Sequence, residues 1–209
     1  MNYLHERETE IRPKAPLKPV YVPLREDRLG PLMWGYLNDR VLDPEIAEDN
    51  GWYAAYYKGA PRIIIPASTL VNTWPYFQGR AMNDHPKRYE SPSAPRGDAL
   101  AVVYPKSIPE GIVIVEGPMD ALAATGEGYV GVGLMGNTPG DAVLAHLESI
   151  LKVFPIPCLV IPDRDALDKG AEVTAKLWTR GLKCVLKTIQ GAKDLAELGP
   201  ERRRRLLEA

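Results

Sequence analysis

Four short apolar runs punctuate the second half of the chain, at residues 112–115, 129–134, 158–161 and 183–189. Short apolar runs bounded by turn residues read as buried strands. A helix-forming stretch follows each one. After the first run, Pro118 stands near a first helical turn. After the second, Thr138 reads as an N-cap, with Pro139 behind it and Asp141 three residues on. The pattern predicts helices over 141–151, up to Gly181, and over 194–198. Repeated strand–helix units fold as a parallel sheet with right-handed crossovers and helices on its faces. No other feature narrows the fold as far.

In such sheets, ligand sites form at the carboxyl ends of the strands. Acidic residues stand there three times. Glu116-Gly117-Pro118-Met119-Asp120 follows the first run, Asp163-Arg164-Asp165 the third and Lys193-Asp194 the fourth. Gly117 permits the tight bend that leaves Glu116 at the strand exit and Asp120 in the first helical turn. Asp163 and Asp165 are two apart, so in extended backbone they point the same way. Taken singly, each motif has a plain reading: Asp120 favours a helix N-terminus, and Asp163-Arg164-Asp165 is a polar loop. Together, three acidic clusters at one sheet edge point to a site for a hard divalent cation such as Mg²⁺, which is usually shared with substrate phosphates. The chemistry expected is metal-assisted phosphoryl transfer.

The 209 residues make one large domain or two small ones, with ordinary hydrophobic (45%) and charged (25%) content. No apolar stretch is long enough to span a membrane. Residues 1–10 are too polar for a signal peptide. Cys158 and Cys184 lie within apolar runs, which excludes a disulfide framework or a Cys-rich zinc site. A cytoplasmic location is expected. The net charge of −1 conceals an asymmetry. Residues 58–106 carry seven Lys/Arg against three Asp/Glu, and residues 107–199 carry eight against twelve. A basic platform beside an acidic site suits a polyanionic substrate; ordinary surface variation gives the same counts.

Residues 1–30 are rich in Pro and charge and read as an extended arm. Residues 31–108 read as a small mixed α+β unit. It opens with a helix over 31–40 and a second one capped by Asp43, started by Pro44 and stopped by Gly51. A hairpin of 52–57 and 62–66 turns at Lys58-Gly59, a strand spans 73–82, and a polar loop spans 83–92. Trp52, Tyr53, Tyr56 and Tyr57 either pack the hairpin or stack on bases. Residues 109–199 form the α/β unit, and a final helix over 201–209 carries Arg202, Arg203, Arg204 and Arg205, read as a solvated face with some affinity for nucleic acid. His5, His85 and His146 have no ligand spacing; His85 borders the basic loop, and His146 reads as structural. Gly131-Val132-Gly133-Leu134-Met135-Gly136 spells a dinucleotide fingerprint. Its glycines fall inside a strand, where such a fingerprint does not work, and no P-loop occurs.

Glu-Gly-x-x-Asp after one strand, Asp-x-Asp after another and Lys-Asp after the next resemble a Toprim domain over about residues 111–199. Arg62-Ile63-Ile64-Ile65-Pro66, Gln78-Gly79-Arg80, Pro86-Lys87-Arg88-Tyr89 and Ser91-Pro92 occur in that order. They resemble the amino-terminal half of a bacterial or phage primase catalytic core, and Tyr36-Leu37-Asn38-Asp39-Arg40 resembles its opening helix. The resemblance implies an α/β fold: a Toprim-type parallel sheet flanked by helices, preceded by a small mixed α+β subdomain. It implies Mg²⁺ or Mn²⁺ held by Glu116, Asp120, Asp163, Asp165 and Asp194, with Glu116, Asp163 and Asp165 catalytic. It implies nucleotide or DNA contacts from Arg80, Lys87, Arg88, Tyr89 and Lys193. The activity implied is primer synthesis on single-stranded DNA from nucleoside triphosphates by two-metal phosphoryl transfer. A Toprim nuclease and a non-catalytic nucleic-acid-binding replication module are the alternatives; a topoisomerase would need large additional domains. The chain departs from the family where Ala166-Leu167-Asp168-Lys169 precedes Gly170, lengthening the loop after Asp165 and adding an acid. The sequence also lacks the zinc-binding template module of these primases. Template choice is therefore expected from a template-recognition or helicase protein in trans, with the 1–30 arm placed where such a module attaches.

Overall fold

Asp43 starts the chain's second helix as its spacing predicts: its Oδ1 accepts the backbone N–H groups of Glu45 at 2.8 Å and Ile46 at 3.1 Å. The structure, a computed structural model, describes residues 18–136, 139–153 and 156–208. Residues 1–17 of the arm, the Thr138 cap and Ala209 lie outside them. The helices α1 (Gly30–Asn38) and α2 (Pro44–Asp49) precede four antiparallel strands. These are β1 (Tyr53–Tyr57), β2 (Ala60–Pro66), β3 (Phe77–Ala81) and β4 (Tyr89–Glu90), ordered as they occur in the chain. Lys58 and Gly59 take φ values of 45° and 82°, giving the two-residue hairpin turn whose twist matches its strands. The arm's later part is not free. Tyr53 Oη donates to the Pro23 carbonyl at 2.8 Å, and Glu26 N–H to that of Ala54 at 2.9 Å.

The strand predicted over 73–82 shortens to β3, and the loop predicted over 83–92 contains β4. Arg62 accounts for that fold-back. It is fully buried on β2 and donates to the carbonyls of Tyr57 and Gly79, each at 3.0 Å, and of Lys87 at 3.1 Å. A Cβ at Gly79 would stand 3.0 Å from the Arg62 Cδ, so glycine leaves the space in which the arginine crosses β3. Buried carbonyls need a donor, and one guanidinium supplies several.

The second sheet has the order β5-β7-β6-β8-β9, from β5 (Ala101–Val103), β6 (Ile112–Val115), β7 (Val130–Gly133), β8 (Cys158–Val160) and β9 (Val185–Leu186). Its helices are α3 (Pro118–Thr125), α4 (Asp141–Val153) and α5 (Leu167–Thr179), and α6 (Pro200–Glu208) follows β9. The β6–β7, β6–β8 and β8–β9 pairs are parallel. The unforeseen β5 runs antiparallel to β7 at the edge, although it precedes residue 109 in the chain. Its three residues are too few to show a period. Only two of the seven residues in the run at 183–189 pair as β9. The helix expected over 194–198 is a set of turns, in which Asp194 Oδ1 accepts Glu197 N–H at 3.0 Å.

Alternation along β6 separates two cores. Val113 and Val115 face one with α3, Met33 and Leu37 of α1, and Ile63 and Ile65 of β2. Ile112 and Ile114 face the other, under Leu147 of α4 and Leu177 of α5. The first core is continuous between the two sheets, which fixes the basic unit against the acidic strand ends.

Candidate functional site

Two glycines of β7 set the height of the site. A Cβ at Gly131 would lie 2.0 Å from the Ala121 carbonyl oxygen, and one at Gly133 would lie 2.8 Å from that of Gly117. The α3 backbone therefore rests directly on β7, with Gly117 in extended conformation as its N-cap. The glycine pattern that mimics a dinucleotide fingerprint is thus a helix-packing device. It presses the Glu116–Asp120 turn against the carboxyl ends of β6 and β8.

Asp120 is 7% exposed, and its Oδ1 accepts the Ala196 N–H at 2.9 Å. Burial and the neighbouring Asp194 push its carboxyl up to about 7, against the Ala196 hydrogen bond, which lowers it. Burial, then the charges of Glu116 and Asp194, raise Asp163 to about 6, with Lys193 acting the other way. Glu116 turns Oε2 toward Lys169 Nζ at 3.4 Å, while its Oε1 is buried without a hydrogen-bond partner. The Lys193 carbonyl accepts Arg164 N–H at 2.9 Å and so ties the two acidic loops together.

These loops form one side of an open cleft of about 430 Å³, lined by Glu116, Asp120, Asp163, Lys193 and Asp194. The basic unit forms the other side with Arg40, Gln78, Arg80, Arg88, Tyr89 and Arg96. Arg80 is 6% exposed and donates from Nε to Tyr36 Oη at 2.7 Å. Its guanidinium lies 4.9 Å from the Tyr89 ring centroid and 5.8 Å from that of Tyr36. Stacking on two rings fixes the plane of the cation. Arg40 covers Tyr36 at 4.9 Å, and Gln78 Nε2 holds the Met135 carbonyl at 3.1 Å.

The cleft thus joins eight of the ten sequence-predicted positions, but not all of them. Asp165 is exposed beside Asp163 and does not line the cleft. Lys87 also lies off it, exposed, its ammonium 3.3 Å from Glu90 Oε1. Arg40, Gln78 and Arg96 were missed as cleft residues. Arg40 closes the Tyr36–Arg40 motif and Gln78 opens Gln78-Gly79-Arg80, so both carried a signal; Arg96, isolated between Pro95 and Gly97, carried none.

Among the described residues, no three His, Cys, Asp or Glu side chains already converge on one metal position. The site nonetheless fits a divalent cation. Its donors are hard oxygens, one buried carboxylate oxygen has no partner, and two carboxyls are raised by burial and mutual repulsion that a cation would relieve. Among the described residues no helix is long and apolar enough to cross a membrane.

No family model matches the chain, and no curated protein matches it significantly. Solved structures do. The Escherichia coli primase catalytic core matches with a TM-score of 0.62 at 14% identity, over 86% of this chain and 72% of that one. The primase fragment of the bacteriophage T7 primase-helicase protein matches with a TM-score of 0.60 at 16% identity, over 94% and 82%. A DnaG primase catalytic domain bound to single-stranded DNA matches with a TM-score of 0.59 at 15% identity, over 85% and 73%. With its smaller antiparallel unit packed against a largely parallel, helix-flanked sheet, the chain has the fold of the bacterial and phage primase catalytic cores.

Proposed function

We propose that the chain is a primase-type nucleotidyltransferase, a DNA-directed RNA polymerase that makes short primers on single-stranded DNA. One observation carries this reading: acidic strand ends and a stacked-arginine wall face each other across a single cleft. An acid site alone would serve a nuclease as well. The opposing wall gives a polyanion and its nucleotide somewhere to lie, which favours synthesis.

Glu116, Asp120, Asp163, Asp165 and Asp194 would hold Mg²⁺ or Mn²⁺, which when bound activates a primer 3′-hydroxyl and stabilises charge on the leaving pyrophosphate. Glu116, Asp163 and Asp165 stand closest to the chemistry in this assignment. Arg80, fixed by Tyr36 and Tyr89, offers a cation that needs no reorganisation when a phosphate arrives. Arg88 and Lys193 flank the same space. Lys87 reaches the substrate by leaving Glu90. That exposed ion pair holds it by no more than about 1 kcal/mol. Template selection is assigned to a recognition or helicase partner in trans.

The test is incubation with single-stranded DNA, labelled nucleoside triphosphates and Mg²⁺ or Mn²⁺. Short labelled products are expected. Shortening of the DNA without incorporation would replace this reading with the nuclease one, and retention of DNA with neither outcome would leave a binding module.

A further inference from the structure

Lys169 stands in the first turn of α5, which begins at Leu167, so the stretch expected to lengthen the loop after Asp165 is helix from its second residue on. Its neighbour Gly170 leaves it little freedom. A Cβ at Gly170 would lie 2.5 Å from the Pro162 Cγ, so the α5 backbone is pressed onto the end of β8. From there the Lys169 side chain crosses to the end of β6, and its ammonium lies 3.4 Å from Glu116 Oε2. The two side chains are 36% and 24% exposed, so solvent only partly screens the pair. The other Glu116 oxygen is buried and unpartnered. An ammonium is a compact point charge that can pair with a carboxylate where a metal ion would sit.

From this geometry, and resting on the metal-site reading above, we infer that Lys169 is the resident counter-ion of Glu116, which an incoming divalent cation must displace. The ammonium neutralises Glu116 before metal arrives, and loading the site exchanges Lys169 for the metal on that carboxylate. Lys169 is then a positioning residue that sets the cation concentration at which the site fills. It acts through Glu116 rather than on substrate.

The experiment measures free Mn²⁺ by electron paramagnetic resonance during titration of the full chain, without nucleotide or DNA. Lys169→Met should bind Mn²⁺ about three- to tenfold more tightly than wild type, the size expected for removing one partly screened competing charge. Lys169→Arg, which keeps the charge, should stay within about twofold of wild type. In a Glu116→Gln background, Lys169→Met should change Mn²⁺ affinity little, because the exchange runs through that carboxylate. Equal or weaker binding by Lys169→Met overturns the inference. So does a gain of equal size in the Glu116→Gln background, which would mark a general charge effect. If wild type binds no Mn²⁺ and Asp163→Asn changes nothing, the metal-site reading fails and this inference with it. A wild type that binds Mn²⁺ in an Asp163-dependent way keeps that reading standing whatever Lys169→Met shows.

Discussion

Single carboxylates make the sharpest claims. Asp120 titrates at about 7 in the folded chain against an ordinary 3.8, because burial and Asp194 disfavour its charge. Below about pH 4 the group is protonated whether the chain is folded or not, and the fold keeps its full stability. As pH rises toward the folded value, the unfolded chain gives up the proton first, so stability falls and then levels off above it. The loss is on the order of 4 kcal/mol for this group. In chelator, urea unfolding across pH should show this decline in wild type and a flatter curve in Asp120→Asn, whose Oδ1 can still accept the Ala196 N–H. Parallel curves would mean that Asp120 carries no such strain. For catalysis, Asp163→Asn and Asp165→Asn should each lower nucleotide incorporation by about 10²-fold or more, with the circular dichroism of the wild type. On the opposite wall, Arg80→Ala and Lys87→Ala should each lower the salt slope of single-stranded DNA binding by about one unit, read by anisotropy. An unchanged slope for either removes that residue from the phosphate path.

Among the strands and helices, chemistry and period coincide where an element is legible in the sequence. The run at 112–115 became β6 residue for residue, and the acids that follow it became the cleft floor, because a buried strand and its exit are local facts. Pairing decided by distant parts of the chain leaves no such local mark. Three residues became β5 because β7 offered an edge, and the stretch at 194–198 is a set of turns in which Asp120, a residue of α3, takes the Ala196 N–H. Arg96 entered the cleft through tertiary packing, its Nε 3.3 Å from Tyr76 Oη, a partner invisible in the sequence around it. The glycines of β7 show both sides of this. Their spacing was legible, but their purpose appears only with α3 resting on them. Gly131→Ala should therefore destabilise the chain by about 3 kcal/mol or more, since the new methyl meets the Ala121 backbone rather than a side chain that can turn away. Denaturant unfolding would check this, and a near-neutral effect would show that α3 can lift from β7 at little cost.

For the whole molecule, the tail helix decides how the cleft's two walls are held. Arg203 is 2% exposed, not part of a solvated basic face. From α6 it donates to the Leu198 carbonyl at 2.8 Å, to Ala123 of α3 at 3.4 Å and to Val41 at 2.7 Å. It thereby joins the acidic wall's helix to the segment that carries Arg40. Val41 itself has φ 56°, a left-handed conformation that a β-branched residue adopts only at a cost. The arginine's hydrogen bond to its carbonyl helps hold that turn, and the turn aims Arg40 at the cleft. Replacing Arg203 with Met keeps most of the volume but leaves the Leu198, Ala123 and Val41 carbonyls without this donor, the first two of them buried. The expected loss is about 3 kcal/mol or more. Because the core is continuous between the sheets, unfolding should remain one cooperative transition at a lower midpoint rather than split in two. Arg203→Met should also weaken single-stranded DNA binding, measured where the variant is still folded, although Arg203 does not line the cleft. Val41→Gly separates the two effects. Glycine accepts the left-handed turn without strain, so that variant alone should cost little stability, and combined with Arg203→Met it should restore part of the lost DNA affinity. If Arg203→Met binds DNA as wild type does, the tail helix stabilises the fold without setting the position of Arg40.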